Sequence, residues 1–252
     1  MPTFDTPTTL EKMGYTHPNH PLIKDWRGRK KWIDDALKTY KPSKLVSANT
    51  KTQDPSLNLP IVGHCINRTQ LCDKVCYAQT GTLAFSLSVL KTEYLSRYLL
   101  GTDLRQLIGE CSRFKSIRLN GGGDLLPGHV PAIIKLARAC KETVFWGMSR
   151  NKNVLKSING SGLKNLSLLY SIDATTPVKE WKDFQGGMVW GPRLSTDVVP
   201  SDSRIRVVFP FHKGGKMEKD MTPHYKDCRA ITKSKELHCN MCRRCWTNNV
   251  LP

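Results

Sequence analysis

Ser116-Ile-Arg-Leu-Asn-Gly-Gly-Gly-Asp124 is the stretch on which the fold turns. Its first four residues, Ser116 to Leu119, read as a short strand that breaks at Asn120-Gly121-Gly122-Gly123-Asp124, a run of turn-forming residues. Val130, Ile133, Ile134 and Ala137 then recur at helical spacing, and Thr143-Val-Phe-Trp146 reads as the next strand. Strand, polar turn, helix and strand is the order of a parallel crossover.

The same grammar extends in both directions. Residues 151–159 form a short helix, Leu166 to Ile172 a strand that ends at Asp173, and Met188–Trp190 and Ile205–Phe209 the last strands. Thr176-Pro177 reads as an N-cap followed by Pro at the first helical position. Upstream, Leu83, Leu87, Leu90, Tyr94 and Tyr98 share a helix face that stops at Gly101, and Leu104, Leu107, Ile108 and Cys111 mark a second helix. Trp32, Ile33, Ala36, Leu37 and Tyr40 define another, ended by Pro42. Lys44 to Ala48 is a strand candidate, followed by a polar loop through Pro60.

These strands are short and continuously apolar, as expected when both faces of a sheet are covered. The expected fold is α/β, a partial or full (β/α) barrel, with a doubly wound open sheet as the alternative. In such folds chemistry gathers at the C-terminal strand ends. Asn120 to Asp124, Ser149 with Arg150, Ser171 with Asp173, and His212 all fall there. The expected organisation is an N-terminal extension with one amphipathic helix (1–43), a barrel-like core (44–212) and a cysteine-rich C-terminal segment packed on it (213–252).

The chain has 252 residues, 39% hydrophobic and 24% charged, enough for a sizeable core. No apolar run is long enough to span a membrane, and Met1-Pro2-Thr3-Phe4-Asp5 lacks the basic-then-apolar pattern of a signal peptide. The expected location is therefore the cytoplasm, where thiols stay reduced and clustered cysteines hold metal or do redox chemistry. A net charge of +18 favours a polyanionic partner, nucleic acid first, over a merely solubilising surface. Trp26-Arg-Gly-Arg-Lys-Lys-Trp32 interleaves aromatics with cations, which suits base stacking as well as helix packing. No Gly-x-Ser-x-Gly elbow is present, and no Lys-Ser/Thr follows Gly123 to make a phosphate loop.

Seven of the nine cysteines carry the expected chemistry. Cys239-Asn-Met-Cys242-Arg-Arg-Cys245 lets three thiolates converge from one tight loop, and Cys228 makes a fourth ligand. Such spacing occurs in ferredoxin-type loops, so iron–sulfur is the first expectation and tetrahedral zinc the alternative. Cys65, Cys72 and Cys76 form an earlier group beside His64, able to hold three irons of a cubane and leave the fourth open. The two groups make one site or two. Cys111 and Cys140 lie on apolar helix faces and are expected to be core.

Leu119-Asn-Gly-Gly-Gly-Asp-Leu-Leu126 resembles the glycine-rich turn after the second strand of radical S-adenosylmethionine enzymes, and Cys72-Asp-Lys-Val-Cys76-Tyr77 part of their cluster loop. Gln79 stands where that loop has its third cysteine, with Cys65 as the substitute. The resemblance implies one or two 4Fe–4S clusters, S-adenosylmethionine, an electron donor, and cosubstrate contacts from Asn120, Gly121, Gly122, Gly123, Asp124, Ser149, Arg150, Ser171 and Asp173. A second resemblance, from about Ser47 to Trp246, is to the phage "gene product eighty-eight" family. It is carried by Asn49–Thr52, Ser56–Pro60, Cys72–Ala78 with Gly81, Ser149-Arg150, Ser171 with Asp173, and the terminal Cys-x-x-Cys-x-x-Cys-Trp. It implies a viral or mobile-element origin.

Overall fold

A computed structural model describes residues 26–47, 55–61, 64–76, 86–210, 212–213 and 216–217. Six parallel strands form one sheet in the order β1 to β6: β1 (Ser56–Leu57), β2 (Ser116–Leu119), β3 (Val144–Ser149), β4 (Leu166–Ile172), β5 (Met188–Arg193) and β6 (Ile205–Pro210). The row never reverses direction. Right-handed crossovers in such a row carry the connecting helices to a single face, whereas a doubly wound sheet reverses its order and is covered on both. A separate antiparallel pair joins β7 (His212–Lys213) to β8 (Lys216–Met217).

The helices are α1 (Trp26–Ala36), α2 (Gln70–Lys74), α3 (Ser86–Leu100), α4 (Arg105–Cys111), α5 (Val130–Ala139), α6 (Lys152–Asn159) and α7 (Val178–Trp181). Alternation along the strands sends Ile117, Leu119, Phe145, Leu168, Tyr170 and Ile172 into the main core with Leu95, Leu99, Leu107, Ile133, Leu136, Leu155 and Ile158 of the helices. The opposite face carries a smaller cluster of Leu169, Val189 and Val207 against Met148 and Phe209. The N-terminal helix α1 has its own contact with α3, where Ile33 packs on Val89 beside Trp32 and Leu37.

Several expectations shift. Leu45 and Val46 are not a strand; the Glu110 carboxylate accepts from both of their amides at 2.8 Å, and only an isolated antiparallel bridge joins Ser47 to Ser56. The edge strand is β1, inside the stretch expected to be loop, and two residues are too few to show a period. Helix α2 was likewise invisible to periodicity. Thr176 does not cap α7: its hydroxyl accepts from the Asp173 amide at 2.9 Å and closes the turn after β4, leaving Pro177 at the cap. Leu87 is exposed, because the buried stripe of α3 runs through Leu90, Leu95 and Leu99.

Candidate functional site

Strands β2, β3 and β4 run into polar side chains at their C-terminal ends, and these side chains are joined. Asn120 follows β2 in the left-handed region (φ 57°), a conformation its short amide tolerates. Its Nδ2 donates to Asp124 Oδ1 at 3.2 Å and to the Met148 carbonyl at 3.1 Å. Asp124 also accepts from Ser149 Oγ at 2.7 Å, the Leu125 amide at 2.8 Å and the Arg150 amide at 3.1 Å. Burial pushes its carboxyl up to about 6, against the pull of those donors.

From β3 the Arg150 guanidinium reaches β4, where Nη2 donates to Asp173 Oδ2 at 2.7 Å and to the Gly191 carbonyl of β5 at 3.2 Å. Asp173 is wholly buried, and its other oxygen accepts from the Thr175 amide at 2.9 Å and hydroxyl at 2.8 Å. One connected network thus ties the ends of β2, β3 and β4 to one another and to the Gly191 carbonyl within β5.

The cysteine loop is stapled to this edge twice. Thr69 caps α2, accepting from the Cys72 amide at 3.1 Å while its own hydroxyl donates to Asp173 Oδ2, and the Leu71 amide donates to Thr175 Oγ1 at 3.3 Å. The second staple is at β2, where the Leu59 amide donates to the Gly122 carbonyl at 2.9 Å and His64 Nδ1 lies 3.2 Å from the Asp124 carbonyl. Gly123 is held at φ 73°, and a Cβ there would stand 2.3 Å from the Leu59 carbonyl oxygen. Only glycine lets the two loops lie this close.

The protons around His64 follow from its partners. The Leu126 amide donates to His129 Nδ1 at 3.3 Å, so the neutral His129 ring carries its proton on Nε2 and donates it to Ser96 Oγ at 3.2 Å. Ser96 then donates to His64 Nε2 at 3.2 Å, and His64 Nδ1–H donates to the Asp124 carbonyl. Both rings are stacked, with centroids 5.2 Å apart. Burial lowers both histidines, His129 to about 4, with His64 adding to its shift. Both ring nitrogens of His64 are engaged, so it orients the loop rather than offering a ligand.

Cys65, Cys72 and Cys76 are half-buried thiols that are not paired in a disulfide. Burial pushes the Cys65 thiol well up, and Asp124, Cys72 and Cys76 push it further by charge repulsion. Cys65 thus lies within electrostatic reach of both Cys72 and Cys76, and a bound cation would relieve that repulsion. Three thiols are a soft donor set suited to iron–sulfur or zinc. Among the described residues, no three His, Cys, Asp or Glu side chains are already set around one point. The residues fit such a centre by donor type and neighbourhood; their sulfurs stand as neighbours, not as a closed sphere.

The family model described as Gene product 88 matches residues 27–248. The chain belongs to that family. The match covers the whole described sheet and bears out the phage resemblance read from the cysteine and strand-end motifs. No curated protein and no solved structure matches the chain.

Of the residues expected at the site, Asn120, Asp124, Ser149, Arg150 and Asp173 join the network, while Gly121, Gly122 and Gly123 form the turn beneath the loop. Ser171 lies half-buried on the face of β4 opposite Tyr170 and Ile172, and among the described residues its hydroxyl takes no part. Cys228, Cys239, Cys242 and Cys245 lie outside the described residues, as do 1–25, which carry most of the expected N-terminal extension. His212 sits in the separate hairpin. Thr69, Ser96, His129 and Thr175 were missed. Thr69-x-x-Cys72 has the form of an N-cap, and Asp173-x-Thr175 that of an Asx turn, so two of the four left a local signal.

Proposed function

We propose that this is an iron–sulfur protein in which Cys65, Cys72 and Cys76 hold a 4Fe–4S cluster beside the strand ends of a radical-S-adenosylmethionine-like barrel. The observation that carries the reading is the double staple, which fixes a three-thiol loop to the polar edge where parallel α/β folds do chemistry. The unreversed strand order and the glycine turn support the barrel.

When bound, the cluster supplies an electron to S-adenosylmethionine and starts radical chemistry. The chain's residues bind and orient. The turn from Asn120 to Asp124 presents backbone groups, and Asp173 locks Arg150 so that it shapes the edge instead of sweeping it. Asp124 holds Ser149 and the Arg150 amide in place. Ser171, half-buried on the face of β4 opposite Tyr170 and Ile172, would meet a cosubstrate bound on that side of the sheet. Cys228, Cys239, Cys242 and Cys245 hold an auxiliary cluster or complete the same site.

The charge of +18 supports a nucleic acid or nucleotide substrate, and the redox chemistry needs an electron donor. The place of action is the cytoplasm of the host cell. No helix among the described residues is long and apolar enough to cross a membrane. The same charge favours a second reading, a nucleic-acid-binding protein whose thiols hold structural zinc or iron–sulfur without catalysis.

Anaerobic purification with metal and sulfide analysis tests the cluster. A brown protein with broad absorption near about 400 nm supports it, and a colourless zinc protein supports the second reading. Cleavage of S-adenosylmethionine under a reductant then supports the enzyme. An iron-loaded chain that neither binds nor cleaves it rules out the radical step and leaves the cluster standing.

A further inference from the structure

Ser56, Arg118, Trp146 and Ser167 are consecutive cross-strand partners on β1, β2, β3 and β4. They share the sheet face opposite the main core, with Leu169 and Met148 one step further along. The Arg118 guanidinium lies over the Trp146 ring, 5.7 Å from its centroid, and so extends from β2 across β3. Its Nε is buried with no acceptor, and it forms no ion pair with the described residues. Ser167, 5% exposed, has a buried Oγ without a partner on the same face.

A buried N–H on a charged group without an acceptor is costly, more so where none of its described cross-strand neighbours is a carboxylate. Trp146 offsets part of that cost through its ring, but a π face satisfies no N–H. What matches a planar guanidinium fork is an oxyanion.

We propose that Arg118 and Ser167 form a binding site for an oxyanion, a phosphate or carboxylate group, on the sheet face opposite the main core. The site lies two residues below Asn120, roughly 7 Å along the strand from the polar edge. A ligand held there by its negative group directs its remainder toward that edge or onto the apolar patch of Met148, Leu169 and Val189. The site does not depend on a metal at the thiols, so it stands or falls separately from the cluster.

The test titrates the folded full chain with inorganic phosphate and, separately, malonate, at ionic strength held constant with chloride. Calorimetry and the Arg118 Nε–H NMR signal, identified by its absence in Arg118→Lys, report binding. Saturable binding that shifts this signal is expected, weakened about ten- to a hundred-fold in Arg118→Gln and several-fold in Ser167→Ala. Arg118→Lys keeps the charge but loses the fork, and falls between them. Preference for phosphate or for malonate assigns the ligand's group. If Arg118→Gln fails to fold, the wild-type signal and Ser167→Ala decide. Titrations in which neither anion saturates or moves the Nε–H signal, or in which folded variants bind as tightly as the wild type, overturn the site.

Discussion

Cys65, Cys72 and Cys76 on one side, and Cys111 and Cys140 on the other, carry the same thiol in opposite surroundings. Cys111 ends α4 and Cys140 follows α5, both buried, with Cys140 Sγ 3.3 Å from Ser112 Oγ and 3.7 Å from the Ile108 carbonyl. Nothing around them is arranged for a ligand; they fill space between helices as small hydrophobes. The loop thiols stand half-exposed above a polar network that fixes the backbone carrying them. What separates the thiols proposed to bind from those that pack is thus the framework beneath them, and each part of that framework can be removed.

The largest stability effect is expected from Asp173→Asn. It leaves Arg150 without its buried counter-charge and weakens the acceptor for Thr69, and should cost about 3–5 kcal/mol by denaturant unfolding. The loop thiols should also become faster to alkylate, while Cys111 and Cys140 stay protected until global unfolding. Equal acceleration of all five contradicts the distinction.

His129 gives a pH signature. Its folded value of about 4 lies below the ordinary 6.5, so its contribution is fully present above pH 6.5 and is lost as pH falls from there toward 4. Asp124 runs the other way, since a carboxyl raised to about 6 favours the folded state as pH falls below that value. Comparing wild type with His129→Gln across this range isolates the histidine, and the difference in stability should change by up to about 3 kcal/mol. A pH-independent difference rules out a neutral, buried His129.

Gly123→Ala should cost about 2–3 kcal/mol through its positive φ and the crowding at Leu59, measured by the same unfolding. The smallest effect belongs to Cys140→Ala, about 1 kcal/mol, with metal content unchanged. A drop in bound metal in that variant would place Cys140 in the wrong neighbourhood.

How far the sequence was legible follows from range. Strands β2 to β6 announced themselves through apolar runs bounded by turns, and Asp124, Ser149, Arg150 and Asp173 stood out as polar residues where those runs stop. Strand β1 and helix α2 were too short to carry a period. Thr69 and Asp173 are 104 residues apart, and Ser96 joins two histidines more than thirty residues away on either side. No local pattern encodes such meetings; they exist only once the sheet has formed. The Arg118 row was hidden for a different reason. An arginine at the centre of a strand reads as a solvated alternate residue until the register sets it over a tryptophan.

The most direct test of the central claim compares iron and acid-labile sulfide, under anaerobic conditions, in the wild-type chain and in Cys65→Ser/Cys72→Ser/Cys76→Ser. The expected result is that the triple variant, folded by circular dichroism, loses at least one cluster, about four irons per chain. Equal iron and sulfide in the two proteins would mean that the stapled loop holds no metal.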